Sequence, residues 1–405
     1  MSKANSRKYV VIIGDGMSDE PVARFGGKTP LEATDLPRMD RVANQGRIGL
    51  MYTTPKGFKA GSDICNMNIM GYSPTRYFTG RAPFEAVSQG IELADDETAF
   101  RCNLVHLEND YTVMGEYSAG HIKSVDSHPL IKALDEALGR DGLHFRPGID
   151  YRHLLIWRNA PNAGYLTEPH NIPGKPIADY PPEGPAGSAI LDLIRKSWKV
   201  LADHPVNRAR VAAGKRPANS IWLWGQGLKA KMPAFGERYG IKSSVISAVD
   251  LVRGIGKLVG MDVLSASGMT GYIDTNYEGK VKACLDSLAD HDLTYIHLEA
   301  TDEAGHQGKL EDKVEGLRHL DRRVVGPVLD HLEKHYADWR VLLLPDHPTP
   351  VERKIHTEDP IPFAILDSKD RGGGTGGYNE TAARNSGWVI EDASKFFDEV
   401  FFANS

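Results

Sequence analysis

The chain has 405 residues, 41% of them hydrophobic, so it can bury a full core and is longer than one domain usually needs. Its formal charge of −6 is modest and its basic residues are dispersed, which argues against a nucleic-acid surface and confines any anion site to a local cluster. Three widely spaced cysteines, Cys65, Cys102 and Cys284, exclude a disulfide framework, no apolar run approaches membrane-spanning length, and MSKANSRKYVVIIGDG lacks the apolar core of a secretory signal, so a cytoplasmic protein is expected.

Taken in order, Tyr9-Val10-Val11-Ile12-Ile13 reads as a buried strand that halts at Gly14-Asp15-Gly16, where glycine lets the backbone turn and crowd a ligand. No third glycine follows at the spacing of a dinucleotide fingerprint. Leu36 to Gly46 carries the Pro-first, Gly-last punctuation of a short helix, and Ile48 to Tyr52 reads as a second strand. Gly61-Ser62-Asp63 reads as a turn feeding a helix, which would set the Ser62 hydroxyl beside free N–H groups at the positive end of the dipole. That suits an oxygen nucleophile carrying a phosphoryl group, although a lone Gly-Ser-Asp is more simply read as an N-cap.

From 95 to 185 the composition changes to short strand-like runs (Thr98 to Leu107, Tyr111 to Met114, Tyr151 to Trp157) around a helical stretch, His128 to Leu138. The Pro/Gly-rich run from Asn171 to Pro185 reads as a linker. The expectation is an α+β domain, 95–185, inserted into a main α/β domain formed by 1–94 and 186–405. The main fold should resume with a helix at Gly187 to Ala202, His204 to Arg216 should be a solvated loop, and Ile221-Trp222-Leu223-Trp224 should be a strand. Ser244 to Ala248 and Leu251 to Val259 read as a strand and a helix. Val314 to Leu332 is amphipathic and should be kinked or split by Pro327, and Gly372 to Gly377 should be a surface loop.

The first strand-then-acid pattern recurs twice. Leu293 to Leu298 is a buried-looking strand whose exit carries Asp302 and His306, four apart and therefore on one helical face. Val341 to Leu344 runs into Pro345-Asp346-His347-Pro348. In an open parallel sheet the carboxyl ends of the strands share one edge, where ligands bind. Asp15, Asp302, Asp346, His306, His347 and His356 would then form an oxygen-and-nitrogen cluster suited to Mn²⁺ or Zn²⁺ and sufficient for two ions. Read alone, the Asp302–His306 pair is more simply explained by Thr301 or Asp302 capping the helix, with His306 an ordinary surface histidine.

With these residues in view the sequence resembles the alkaline phosphatase superfamily, and more narrowly the cofactor-independent phosphoglycerate mutases of archaeal type. The likeness is most specific in GDGMSDEP (14–21), KTPLEATDLPRMD (28–40), GSDICNMNIMGYSP (61–74), TGRAPFEA (79–86), TGYIDTNYEGK (270–280), ATDEAGH (300–306), PDHPTP (345–350) and IHTEDPIPF (355–363). The resemblance implies a mostly parallel sheet flanked by helices, with the insert acting as a substrate-binding lid. It implies two divalent ions, Mn²⁺ first with Zn²⁺ or Co²⁺ as alternatives, and no 2,3-bisphosphoglycerate. Asp15, Ser62, Asp346 and His347 would hold one ion, and Asp302, His306 and His356 the other. Ser62 would be the nucleophile, passing the phosphoryl group of a small metabolite between the 3- and 2-positions of glycerate, a step of glycolysis and gluconeogenesis.

The chain departs from that pattern where substrate would be recognised. Archaeal mutases tend to carry an arginine-rich segment where this chain reads Glu116-Tyr117-Ser118-Ala119-Gly120-His121-Ile122, and Arg-Gly-Ala-Gly where it reads Trp224-Gly225-Gln226-Gly227. Lost guanidiniums are lost bidentate partners for carboxylate or phosphate. The substitutions lean toward a bacterial branch of the family proposed to act as homoserine kinase, with His121 and Arg81 left as candidate substrate contacts.

Overall fold

A computed structural model of the chain describes residues 7–373 and 376–403. The readings of the first six residues and of Gly374-Thr375 in the glycine run lie outside the described residues. The chain divides into two compact units, Met1–Phe78 with Met232–Ser405, and Thr79–Lys231. The first segment supplies strands β1 (Lys8–Gly14) and β2 (Arg47–Met51). Thr79–Lys231 supplies β3 (Glu97–Glu108), β4 (Val113–Glu116), β5 (Leu143–Ile149), β6 (Arg152–Arg158) and β7 (Ser220–Leu228). The last segment supplies β8 (Ser243–Ile246), β9 (Asp262–Leu264), β10 (Leu293–Leu298), β11 (Trp339–Leu344), β12 (Ile361–Asp367) and β13 (Val389–Ile390).

The larger unit is built on an eight-stranded sheet in the order β13-β2-β12-β11-β1-β10-β8-β9. Only β12 runs antiparallel to its neighbours β11 and β2; the remaining pairs are parallel. Its central strands are buried along nearly their whole length, as expected when helices cover both faces of a parallel sheet. One face packs Val10, Ile12, Ile296, Val341 and Leu343 against Leu317, Leu320, Val324 and Val328. Those last four come from the stretch that Pro327 was expected to break. The stretch forms a helix Leu310–His319, a π-helical segment Leu320–Val325 and a helix Gly326–His335 with Pro327 in its first turn. A proline lacks the N–H that a continuous helix would require there, and the widened turn takes up the mismatch.

The smaller unit is a five-stranded antiparallel sheet with β3 at its centre, paired to β6, β7 and β4. It is broader than the 95–185 segment read from sequence, for a non-local reason. Strand β7 pairs with β3 from Thr98↔Leu228 to Val105↔Ser220. The helix Gly187–Ala202 does not resume the main fold; its Ile190, Leu193, Ile194 and Leu201 pack with Phe100, Leu104 and Trp222 of this unit. Ala82 and Ala86 of the helix Arg81–Ser88 likewise pack with Ala99, Leu154 and Ile156. Part of the expected loop His204 to Arg216 is a helix, Pro205–Ala212, with proline at its first position.

In the larger unit a buried ammonium ties together the loops that follow β1 and β11. Lys313 Nζ lies 2.7 Å from Asp19 Oδ2 and donates to the Ser18 and Thr349 carbonyls at 3.1 and 2.8 Å. Asp19 in turn accepts from the Val351 N–H. Removing one partner of a fully buried pair strands the other charge, so Lys313→Met should lower unfolding free energy by roughly 3–5 kcal/mol, with partial recovery on adding Asp19→Asn, measured by urea denaturation. Glu380 accepts from Thr29 Oγ1 and the Asp19 N–H, and burial raises its pKa from 4.5 to about 7. The folded state therefore holds a proton that the unfolded chain releases, and stability contributed below pH 4.5 is lost as pH rises through about 7. Glu380→Gln should flatten that part of the stability–pH curve.

Candidate metal and phosphoryl-transfer centre

Strands β11, β1 and β10 lie side by side, with Ile13 opposite Leu344 and Gly14 opposite Leu298. Neighbouring strands are about 4.8 Å apart, so the residues leaving their carboxyl ends are delivered to one place. Asp15 follows β1, Asp346 lies two residues beyond β11, and the helix Ala300–Gln307 opens two residues beyond β10. Gly16 has φ +61, and a Cβ there would lie 2.5 Å from Thr349 Oγ1 and 2.7 Å from Asp302 Oδ1. Only glycine permits both that backbone conformation and that approach. A Cβ on Gly305 would meet the Thr349 carbonyl at 2.3 Å, so the Ala300–Gln307 helix also needs glycine to sit against the loop after β11.

The helix Ser62–Ile69 is capped by Gly61 without a side-chain bond, which leaves Ser62 as its first residue with its hydroxyl free of capping duty. Ser62 Oγ lies 3.3 Å from Asp15 Oδ2 and 3.5 Å from His347 Nε2. His347 Nε2 is in turn 3.5 Å from Asp15 Oδ1 and 3.6 Å from Asp346 Oδ2. Donors bound cis on one cation at about 2.1 Å stand about 3 Å apart, and trans donors about 4.2 Å, so these separations fit a shared ion. Asn66 Nδ2 holds Asp346 Oδ2 at 2.8 Å and receives the Tyr295 hydroxyl on its own oxygen at 2.6 Å, fixing the carboxylate from behind.

The second set stands on the Ala300–Gln307 helix. Asp302 does not cap that helix, and Thr301 donates instead to the Asp15 carbonyl at 2.5 Å. Asp302 Oδ2 is 3.4 Å from His306 Nε2, and its Oδ1 is 3.4 Å from His356 Nε2. Nδ1 of His306 faces the Lys354 carbonyl at 3.0 Å and Nδ1 of His356 faces the Ala60 carbonyl at 3.1 Å. Each ring thus spends one nitrogen on a carbonyl and presents the other to the cluster, the arrangement of a metal-binding imidazole. His347 faces both sets, with its ring centroid 3.8 Å from that of His356.

All seven metal-ligand candidates read from sequence therefore converge, and they converge with an excess of buried negative charge. Burial, then the charges of Asp346 and Asp302, push the Asp15 carboxyl well above its ordinary range. Burial works in the same direction on Asp302, but hydrogen bonds from His306 and His356 outweigh it and hold the group well below that range. His306 is raised to about 9 by its bond to Asp302, against the effect of burial. A protonated His306 thus supplies part of the positive charge that a dication would bring. Asp15 Oδ1 and His297 Nε2 are buried without a hydrogen-bond partner, and both face this cluster. Orphaned acceptors among crowded carboxylates are what a cation-binding site leaves when the ion is not counted, so the residues fit divalent ions. His297 was missed in the sequence because it sits inside the apolar run of β10; a histidine in a strand buried on both faces was the available signal.

The two candidate substrate contacts belong to the smaller unit. His121 is an exposed turn residue with φ +51. Arg81 opens the helix Arg81–Ser88, with its guanidinium 6.0 Å from the Trp224 ring. Arg101, also unnoticed in the sequence, stacks on the same ring at 4.1 Å and pairs with Glu85 at 3.1 Å.

A family model described as 2,3-bisphosphoglycerate-independent phosphoglycerate mutase matches residues 43–207. A probable 2,3-bisphosphoglycerate-independent phosphoglycerate mutase of Geobacter sulfurreducens is 47% identical over 96% of this chain and 98% of its own. A phosphoglycerate mutase of the same description from Methanosarcina barkeri is 51% identical over 88% of this chain and 90% of its own. Among solved structures, a protein from Pyrococcus horikoshii superposes with a TM-score of 0.81 at 28% identity over 99% of both chains. The cofactor-independent phosphoglycerate mutase of Thermoplasma acidophilum superposes with a TM-score of 0.67 at 23% identity, covering 98% and 99% of the two chains, a likeness of fold.

Filling this cluster with cations should stabilise the folded state. Mn²⁺ at about 100 times its dissociation constant is expected to add roughly 2.7 kcal/mol to the unfolding free energy of chelator-treated protein. Thermal melts should show Asp302→Asn losing much of that increment.

Proposed function

The chain belongs to the 2,3-bisphosphoglycerate-independent phosphoglycerate mutase family, and we propose that it interconverts 3- and 2-phosphoglycerate by passing the phosphoryl group through Ser62. The observation that carries this reading is the Ser62 hydroxyl at a helix N-terminus, 3.3 Å from a buried aspartate and 3.5 Å from a buried histidine. Asp15, Ser62, Asp346 and His347 would hold one divalent ion, and Asp302, His306 and His356 a second, with Mn²⁺ the first choice and 2,3-bisphosphoglycerate unnecessary. When bound, the two ions supply charge that favours the serine alkoxide and neutralises the phosphoryl oxygens.

Ser62 Oγ attacks phosphorus in line, an Oγ–P bond forms, the bond from phosphorus to the 3-oxygen breaks, and the serine proton ends on that oxygen. The N-terminal amides of the Ser62–Ile69 helix face the phosphoserine charge favourably. In the second half the glycerate 2-hydroxyl attacks the phosphoserine, the Oγ–P bond breaks and the proton returns to Ser62. Atoms and charge balance without a net reactant beyond the substrate. The proposal gives the 79–231 unit the task of holding the glycerate, with His121 and Arg81 as its contacts, and a reaction on a soluble metabolite fits a cytoplasmic protein.

A second reading keeps the centre and changes the substrates to ATP and homoserine. One observation favours it: in the Glu116–Ile122 turn, where the family tends to place arginines, Glu116 instead accepts from the Ser118 hydroxyl and amide at 2.6 and 3.0 Å. Mn²⁺-loaded protein assayed in parallel on 3-phosphoglycerate and on homoserine with ATP separates the two. The mutase reading expects turnover of the first alone. It also expects Ser62→Ala to lose roughly 10⁴–10⁶-fold in kcat, together with the phosphoserine detectable by mass spectrometry in rapidly quenched wild type. Phosphohomoserine formation without phosphoglycerate turnover would overturn it.

A further inference from the structure

We propose that His297 is a further protein ligand of the cation held by Asp15 and Asp346, with Ser247 and Glu299 positioning its ring. The proposal rests on the metal-dependent reading above and adds to it a residue from the middle of the sheet.

His297 lies on β10, opposite Ile13 of β1, and its side chain is wholly buried. An imidazole in such a place normally spends both nitrogens on hydrogen bonds, because a buried acceptor left unpaired keeps the full cost of losing its water. Here only one nitrogen has a partner. Nδ1 faces Ser247 Oγ at 3.3 Å and Glu299 Oε1 at 3.5 Å. Nε2 has no hydrogen-bond partner and points at Asp15 Oδ2, 3.4 Å away, and Asp346 Oδ2, 3.9 Å away. Asp15, His297 and Asp346 each offer a ligand atom within 4.8 Å of the others. Both Nε2 distances lie between those expected for cis and trans donors on one ion and exceed a good hydrogen bond.

The surroundings of Nδ1 suit this role. A carboxylate behind the imidazole keeps the proton on Nδ1, leaves the Nε2 lone pair free and raises its basicity. Room for that carboxylate comes from Gly271, where a Cβ would lie 2.3 Å from Glu299 Oε2. Lys280, fully buried, donates to the His297 carbonyl and to the Thr270 carbonyl, both at 3.4 Å. The strand segment that carries the imidazole is therefore fixed from its backbone as well as from its ring. With His297 the donors around Asp15 and Asp346 number five when Ser62 and His347 are included. Such a set of oxygen and nitrogen donors would suit a cation that also takes a phosphate oxygen, and it differs from the closed four-donor set of structural zinc. The competing account makes His297 a cation, an imidazolium lying between two carboxylates and standing in for the metal.

The two accounts separate in a Mn²⁺ titration followed by the electron paramagnetic resonance of the free ion, on full-length wild type, His297→Gln, and Glu299→Gln. Wild type should take up two ions. His297→Gln should keep one tight site and weaken the other at least 100-fold, and Glu299→Gln should weaken the same site roughly 10–100-fold. In Co²⁺-loaded protein, His297→Gln should alter the visible absorption of one of the two ions, a change that loss of a distant structural contact does not produce. Two ions bound by His297→Gln at wild-type affinity, or an imidazolium whose removal tightens binding, would overturn the assignment while leaving the metal reading intact. Fewer than two ions bound by wild type would overturn the metal reading itself and this assignment with it.

Discussion

Everything at the centre depends on the in-register parallel pairing of β11, β1 and β10. Because Val11 stands opposite both Leu342 and Tyr295, the three strands end together and their exits share one edge of the sheet. A slip of two residues would move an aspartate by about 6.6 Å, further than the 4.8 Å within which ligand atoms of Asp15, His297 and Asp346 all lie. The register is held by side chains buried on both faces, where a one-residue slip would exchange the two apolar faces. The apolar sheet thus acts as the ruler for the polar cluster. Lys313 extends that control to the loops, since one buried ammonium bonds to Ser18 and Asp19 on one side and to Thr349 on the other.

The cluster works against the stability of the fold that carries it. Asp15, Asp302 and Asp346 lie together out of solvent, and like charges at such separations in a low-dielectric setting repel strongly. In the polypeptide alone the charge is offset by proton uptake at His306 and by hydrogen bonds from Asn66 and Thr349. The compensation is incomplete: Asp15 Oδ1 and His297 Nε2 have no partner, and Asp15 gives up acidity. A core assembled for stability alone would pair these groups or replace them with apolar ones. Such crowded, partly unpartnered groups beside a serine hydroxyl with no capping duty are the physical basis for the proposal that the cluster takes an ion and a phosphoryl group.

The strand-then-acid pattern was legible because each instance is local: a short apolar run, then a turn, then a carboxylate. The interruption of the α-helix next to Pro327 was legible for the same reason. What escaped reading depends on contacts remote in sequence. The smaller unit extends to 79 and 231 because β7 pairs with β3 more than a hundred residues earlier, and no composition change marks that pairing. The helix Pro205–Ala212 was hidden by its basic composition, which suggested a solvated loop although Asn207 and Arg210 are buried. His297 was hidden by its neighbours, since in a strand of six buried residues one imidazole does not disturb the apolar pattern. Its orphaned nitrogen becomes visible only when Asp15 and Asp346 are placed beside it.

The proposed chemistry and the proposed substrate contacts fall in different parts of the chain. The proposed nucleophile Ser62 and every metal-ligand candidate lie in the unit formed by 1–78 and 232–405, whereas the candidate substrate contacts His121 and Arg81, with Arg101 and Trp224, lie in 79–231. Substitutions at the Glu116–Ile122 turn or at Trp224 to Gly227 therefore leave the donor set untouched. Trp224 keeps a structural task of its own, with Arg101 stacked on its ring and its indole N–H bonded to Asn103 Oδ1 at 3.1 Å. Gln226 and Gly227 are held against Thr79 and Gly80, where a Cβ on Gly80 would lie 1.9 Å from the Gln226 carbonyl oxygen. Trp224 to Gly227 are thus fixed by packing within their own unit. On the proposed reading, the cluster in 1–78 and 232–405 can accordingly be retained while residues in 79–231 diverge, so departures from the family's arginines would bear on the acceptor and not on the transfer.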